Sequence, residues 1–245
     1  MEKDKKLRFR KANFEGVKEK ILGREFDEKT IFNFLNAYSV YLFRKHPNFR
    51  KKILKDNNLN FIDAFTVSVI LSIKNIERVR RLKVPDFTRR FLCDPELNKN
   101  KKHLFVGIGK ERGRKILKKF SNLKEKNVVF YQIPFIKKYR YDDSELIEII
   151  NEWGPDYIWV GIGNPKQEIL SNDFVNRINR GYIFNVGAAF DYLIGRKERA
   201  PKIWQNLGLE WLYRLITDFN HTKKKAWRSL IGSWYGLGLI ELEKE

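Results

Sequence analysis

The chain has 245 residues, 42% hydrophobic and 33% charged, which is ample apolar content for one large core and excludes an intrinsically disordered protein. One cysteine, Cys93, excludes internal disulfides and a cysteine zinc cluster, and His46, His103 and His221 show no metal-ligand spacing. The formal net charge of +20 implies attraction to a polyanion, whether nucleic acid, an anionic membrane leaflet or diphosphate-bearing substrates; charge alone does not choose, and a lysine-rich surface that serves only solubility is the plainer alternative.

The start, Met1 to Lys6, is charged and lacks an apolar signal region. The longest apolar run, near Ala64 to Ile73, is interrupted by Thr66, Ser68 and Ser72 and is too short to span a bilayer. A cytoplasmic protein without a transmembrane helix is expected. The basic segment Lys3 to Lys20 alternates weakly and reads as a strand or extended lead-in. Thr30 to Leu35 reads as a buried strand that delivers Asn36 and Ala37 to its end, ahead of a helix from about Tyr38 through Arg50 to Lys55. Leu59 to Ile62 leads to Asp63 and an apolar helical run from Phe65 to Ile73. A carboxylate at a strand end suits a general base for an incoming hydroxyl, while the plainer role for Asp63 is the N-cap of the helix that follows. Glu77 to Arg90 is basic, and its Lys83 and Asp86 read as a solvated loop and a helix cap.

Three later strands each end in glycine. His103 to Val106 runs into Gly107-Ile108-Gly109-Lys110 and a helix from Glu111 to Phe120; Asn127 to Gln132 is a strand and Asp142 to Glu152 an amphipathic helix stopped by Gly154-Pro155. Tyr157 to Val160 ends in Gly161-Ile162-Gly163-Asn164-Pro165-Lys166-Gln167-Glu168, and Tyr182 to Val186 ends in Gly187-Ala188-Ala189-Phe190-Asp191. The alternation of strands and helices predicts an α/β fold: a Rossmann-like, mostly parallel sheet with helices on both faces over residues 1–200, plus a C-terminal helical appendage over 201–245. In such a sheet the polar loops share one rim, where ligands bind. The glycine junctions suggest a phosphate-bearing ligand, although Gly107-x-Gly109-x-x-x-Gly113 is not the dinucleotide spacing and tight turns use glycine for conformation alone. In the second loop Lys166 offers a cation and a helix beginning at Pro165 offers backbone amides to a diphosphate, while Gln167 and Glu168 suit sugar hydroxyls; for Lys166 and Glu168 a solvated first turn is the alternative. Asp191 is placed to hold ribose hydroxyls, and Phe190 reads as core. From Ala200 the pattern is helical, with Ile203, Trp204, Leu207, Leu209, Trp211, Leu212 and Leu215 on an apolar face. Further on, the basic run His221 to Arg228 beside Trp227, Trp234 and Tyr235 fits either an interfacial membrane helix or a basic helix packed through its tryptophans.

VGIGNPKQE (residues 160–168) followed by NVGAAFDYLIGRKERAPKIWQNLGLEWLYRL (185–215) closely resembles the two signature blocks of the WecG/TagA/CpsF family of bacterial glycosyltransferases, which build teichoic acid linkage units, enterobacterial common antigen and exopolysaccharides. The likeness is dense from Ile158 to Leu215 and reaches back more thinly to Asn36; Phe34 and Ala64 stand where the family carries threonine and glycine. It implies an inverting, metal-independent transfer of an N-acetylmannosamine-like sugar, or a related hexose or uronic acid, from a UDP-sugar to a polyprenyl-diphosphate-linked acceptor at the inner face of the cell membrane. It further implies Asp63 as catalytic base, and substrate binding by Asn36, Gly107, Gly109, Gly161, Gly163, Asn164, Pro165, Lys166, Gln167, Glu168, Gly187 and Asp191. Arg199, Lys202 and Arg214 would neutralise diphosphate charge, and Lys83 to Phe87 resembles a family segment whose basic and acidic residues, here Lys83 and Asp86, lie near the nucleotide. On this reading no cofactor or metal is needed, the C-terminal basic helix meets an anionic membrane surface, nucleic acid is no partner and a homo-oligomer is admitted. A catalytically impaired sugar-nucleotide-binding relative and a basic nucleic-acid binder are the other classes left open.

Overall fold

The computed structural model describes residues 5–25, 28–133, 142–206, 210–217 and 219–243, the side chains at 206, 211, 214, 220 and 221 excepted. In chain order the elements are β1 (Leu7–Phe9), α1 (Phe14–Leu22), β2 (Ile31–Leu35), α2 (Ala37–Lys45), α3 (Pro47–Ile53), β3 (Asn58–Ile62), α4 (Phe65–Asn75), α5 (Val84–Cys93), α6 (Pro95–Asn98), β4 (His103–Val106) and α7 (Lys110–Lys119). They continue as β5 (Val128–Tyr131), α8 (Ser144–Trp153), β6 (Tyr157–Val160), α9 (Lys166–Phe174), β7 (Tyr182–Asn185), α10 (Ala189–Leu193), α11 (Lys202–Asn206), α12 (Glu210–Thr217), α13 (Phe219–Leu239) and β8 (Ile240–Leu242).

Six strands form one parallel sheet in the order β3-β2-β7-β6-β4-β5, so the expected Rossmann-like architecture is what the chain adopts. Alternate residues of each strand face opposite sides. Phe32, Trp159 and Phe184 stack on one side, with Trp159 and Phe32 each 4.5 Å from the Phe184 ring, and Phe87 and Phe91 of α5 close over them. Leu104, Ile158 and Ile183 face the other side and meet Leu146 of α8 and Leu170 and Phe174 of α9. Burial on both sides is why these strands read as continuous apolar runs.

Asparagines interrupt those runs and are satisfied among themselves. Asn33 donates to Asn58 (2.8 Å) and Asn60 (3.2 Å), Asn185 donates to Asn33 (2.7 Å), and Ser171 donates to Asn185 (2.8 Å). Asn172 of α9 exchanges 3.1 Å bonds with Asn58 and donates to the Glu168 carbonyl at 2.9 Å, so the network runs from the sheet edge to the first turn of α9.

Two local expectations are corrected. Residues 14–22 form a helix, capped by Asn13, whose side chain accepts the Gly16 N–H; Phe14, Val17 and Ile21 provide its buried stripe. The helix expected from Tyr38 to Lys55 is two helices, because Pro47 forces His46 into extended backbone (φ −119°, ψ 98°).

The chain end returns to its beginning. β8 pairs in parallel with β1, Leu7 opposite Ile240, and Arg8 and Arg10 reach Glu241 and Glu243. Between them α13 lies against α2 so closely that a Cβ at Gly232 would stand 1.9 Å from the Ala37 carbonyl oxygen.

Candidate active site at the carboxyl ends of the strands

A parallel sheet puts every strand-to-helix loop on one rim. In sheet order the rim carries Asp63 after β3, Asn36 after β2, Gly187 to Asp191 after β7, Gly161 to Glu168 after β6 and Gly107 to Gly109 after β4. α7, following β4, packs through Ile116 on the aromatic side, whereas α9, following the neighbouring β6, packs through Leu170 and Phe174 on the other. Adjacent strands whose helices part to opposite faces open a crevice, the usual ligand position of such sheets. At Gly107 and Gly161 the two loops touch: a Cβ on Gly107 would lie 2.6 Å from the Ile162 side chain and 3.1 Å from the Gly161 oxygen.

The loop after β6 is braced from within. The Asn164-Pro165 peptide is cis, and Pro165 sits buried at the N-cap of α9. The Gly163 N–H donates to Gln167 Oε1 (3.2 Å); Gln167 Nε2 and Asn164 Nδ2 both donate to Glu168 Oε1, at 3.0 and 3.1 Å. Asn164 also donates to Ser39 Oγ (2.9 Å), and Ser39 forms a capping box with Asn36 at the start of α2. Gly187, with a positive φ of 56° that favours glycine, brings its loop against Gln167, where a Cβ would lie 3.5 Å from Oε1. Asn36, Gly163, Asn164, Gln167, Glu168 and Gly187 therefore form one assembly drawn from three strands.

Glu168 is buried, which corrects the solvated-turn alternative there; Gln167 is buried beside it, and Lys166 is half-buried. Glu168 is only 1% exposed, and that burial pushes its carboxyl up to about 7, against the pull of its bonds from Gln167 and Asn164. Glu168 Oε2 and Asn164 Oδ1 are buried without a hydrogen-bond partner among the described residues. Two unpartnered oxygens in one loop, an amide acceptor and a carboxyl oxygen that donates when protonated, are chemically suited to hydroxyls, which both give and accept hydrogen bonds.

Asp63 stands on the next strand. Its amide donates to the Leu35 carbonyl (3.0 Å), and its Oδ1 accepts the Val84 N–H (3.1 Å). The N-cap of α4 is Ala64, so Asp63 does not cap the helix that follows it; it holds the first turn of α5 instead. Beside it lies Arg81, and Lys83 and Arg199 crowd around that guanidinium. Burial draws the Arg81 guanidinium below its ordinary range, opposed by the charge of Asp63; burial and then Arg81 do the same to Lys83. Arg81 donates to the Gln205 carbonyl (2.5 Å), and Arg199 pairs with Asp86 and lies 3.9 Å from Glu210. Crowded, partly desolvated cations favour an anion between them.

Arg81 was missed in the sequence. The signal lay in the spacing of Val79 and Leu82, both buried, which leaves Arg81 half-buried beside them.

Other expected residues lie apart from this assembly. The Asp191 carboxylate turns to its own loop, 3.1 Å from Lys197 and 3.8 Å from Arg196. Gly109 packs against Gln132, toward the β5 edge. Lys202 is exposed at the start of α11, and the Arg214 side chain lies outside the described residues. Phe190 is core, its ring under Gly161. Phe34 is buried against Phe87 (ring centroids 4.8 Å apart) and lines the core. Among the described residues no three His, Cys, Asp or Glu side chains come together as a metal site, and no helix is long and apolar enough to cross a membrane.

An open parallel sheet with a polar loop assembly at its switch point and cations beside a strand-end carboxylate defines an α/β protein whose rim has the form of a ligand-binding crevice. The family follows from the whole chain: residues 5–239 match the Glycosyl transferase WecG/TagA/CpsF family, and the chain belongs to it. Its general chemistry is therefore glycosyl transfer in cell-surface synthesis, from a sugar donor to an acceptor.

Proposed function

We propose that the protein is an inverting glycosyltransferase that moves an N-acetylmannosamine-like sugar, or a related hexose or uronic acid, from a UDP-sugar to a polyprenyl-diphosphate-linked acceptor. The observation that carries this reading is the convergence of Asn36, the Gly161 to Glu168 loop and Gly187 into one assembly, with Asp63 one strand beyond and Arg81, Lys83 and Arg199 beside it. The acceptor hydroxyl oxygen bonds to the anomeric carbon, its proton passes to the Asp63 carboxylate, and the bond from that carbon to the β-phosphate oxygen breaks, releasing UDP with inversion. The cations offset the charge that grows on the leaving UDP, a task fixed groups perform without reorganisation. Asn164 Oδ1 accepts from a sugar hydroxyl, and Glu168 Oε2 meets another, donating to it when the carboxyl is protonated. On this reading the reaction needs no metal, and the exposed Trp227 and Trp234 of α13, among basic residues, bring the enzyme to the anionic inner face of the membrane. Asp191, tied to Lys197, holds ribose only if that pair opens.

The test is a panel of UDP-sugars offered with a short-chain prenyl-diphosphate-sugar acceptor, with and without EDTA. Transfer that survives chelation and inverts the anomeric centre supports the reading. UDP binding without turnover across the panel would instead identify an impaired, nucleotide-binding relative.

A further inference from the structure

The long apolar run of α4 is less buried than its composition implies. Val67 and Leu71 enter the core, and Thr66, Ile70 and Lys74 face α13 and the start of β8: Thr66 bonds Ser233 (3.0 Å), Ile70 approaches Gly236, and Lys74 Nζ donates to the carbonyls of Leu237 (3.3 Å) and Ile240 (2.7 Å). That leaves Phe65, Val69, Ile73 and Ile76 outward on a stripe of helical spacing, Ile73 72% and Ile76 95% exposed. On α13 a matching stripe of Phe219, Trp227, Leu230, Trp234 and Leu237 faces out, with Trp227 at 66% and Trp234 at 72%. Because α13 runs alongside α4, the two stripes lie side by side.

Ile76 adds an independent observation. It ends α4 in the left-handed region (φ 53°, ψ 35°), where a β-branched residue is strained and glycine or asparagine is favoured, and it buries nothing in return. A strained, fully exposed isoleucine is explained by something outside the folded chain. Exposed Arg78, Arg80, Lys223, Lys224 and Arg228 lie along the same two helices and their flanks. They disfavour a second copy of this basic chain and match anionic headgroups.

We propose that α4 and α13 together form one docking face for an anionic bilayer, α4 inserting Phe65, Val69, Ile73 and Ile76 beside the tryptophans of α13. This rests on the membrane-surface reading above and extends it to a helix outside the C-terminal appendage. The test is co-sedimentation of the full chain with phosphatidylglycerol/phosphatidylcholine vesicles, alongside circular dichroism and light scattering. Wild type binds in a salt-sensitive manner; Ile73→Glu/Ile76→Glu weakens partition by about tenfold or more at unchanged helicity. Ile76→Gly weakens partition too, yet raises Tm because the left-handed strain is relieved, a combination no purely structural role produces. Unaltered partition of the α4 variants, with loss on Trp227→Ser/Trp234→Ser, would remove α4 while sparing the membrane reading. No vesicle binding by wild type would remove both. Self-association abolished by the α4 variants would assign the face to a second copy and overturn the proposal.

Discussion

Glu168 is where burial and charge conflict most sharply. Its folded carboxyl titrates at about 7 against an ordinary 4.5, so the fold favours the protonated form. The stability this contributes is present in full below about 4.5 and is lost as pH rises through about 7, to an upper bound of about 3 kcal/mol. Glu168→Gln should flatten that dependence, raising unfolding free energy at pH 8 while leaving it nearly unchanged at pH 4.5; urea titrations at the two pH values measure it, and parallel curves would refute it. His103 acts in the opposite sense. Burial holds it near 3, with Nδ1 accepting the Trp159 indole N–H (3.2 Å), so the unfolded chain binds the extra proton. Its contribution is lost as pH falls from about 6.5 toward about 3. The sequence made Asp63 and the loop 161–168 legible as residue types in a pattern. It did not reveal that Asp63 would hold Val84, because that contact joins positions 21 residues apart.

At the scale of elements, glycine governs how closely they meet. Gly232→Ala would drive a methyl into the Ala37 carbonyl, and Gly161→Ala into the Phe190 ring 2.3 Å away. Each should cost about 1 to 3 kcal/mol by overpacking. Gly232→Ala should loosen α13 without disturbing the sheet, which hydrogen exchange of α13 amides against those of β6 would read; protection of both falling equally would contradict it. The asparagine network is an element-scale device as well: Asn185→Leu strands Asn33 and Ser171, costing about 2 to 4 kcal/mol in denaturant unfolding. In the sequence these asparagines only interrupt apolar strands. Their mutual bonding depends on strand order, and the order β3-β2-β7 is invisible to any local pattern. The helix break at His46-Pro47 was, by contrast, written in the chain and outweighed by the surrounding helical periodicity.

For the whole molecule, the parallel sheet was legible because fully buried strands alternate with amphipathic helices at βαβ spacing. The return of β8 to β1 was not, since three-residue strands carry no periodic signal. What the sheet accomplishes is geometric: it sets Asp63 one strand from Asn36 and two from Gly187, and the chain after β7 comes back across the rim so that Arg199 and Gln205 meet Asp86 and Arg81. The proposed chemistry depends on that gathering, with Asp63 as its proton acceptor. Asp63→Asn tests it most directly, because the amide oxygen still accepts the Val84 N–H and the fold is kept while the base is lost. Measured as transfer from the UDP-sugar to a prenyl-diphosphate-linked acceptor in EDTA, the variant should lose about 10² to 10⁴-fold in kcat with an unchanged circular dichroism spectrum. Equal turnover by Asp63→Asn and wild type would contradict the account.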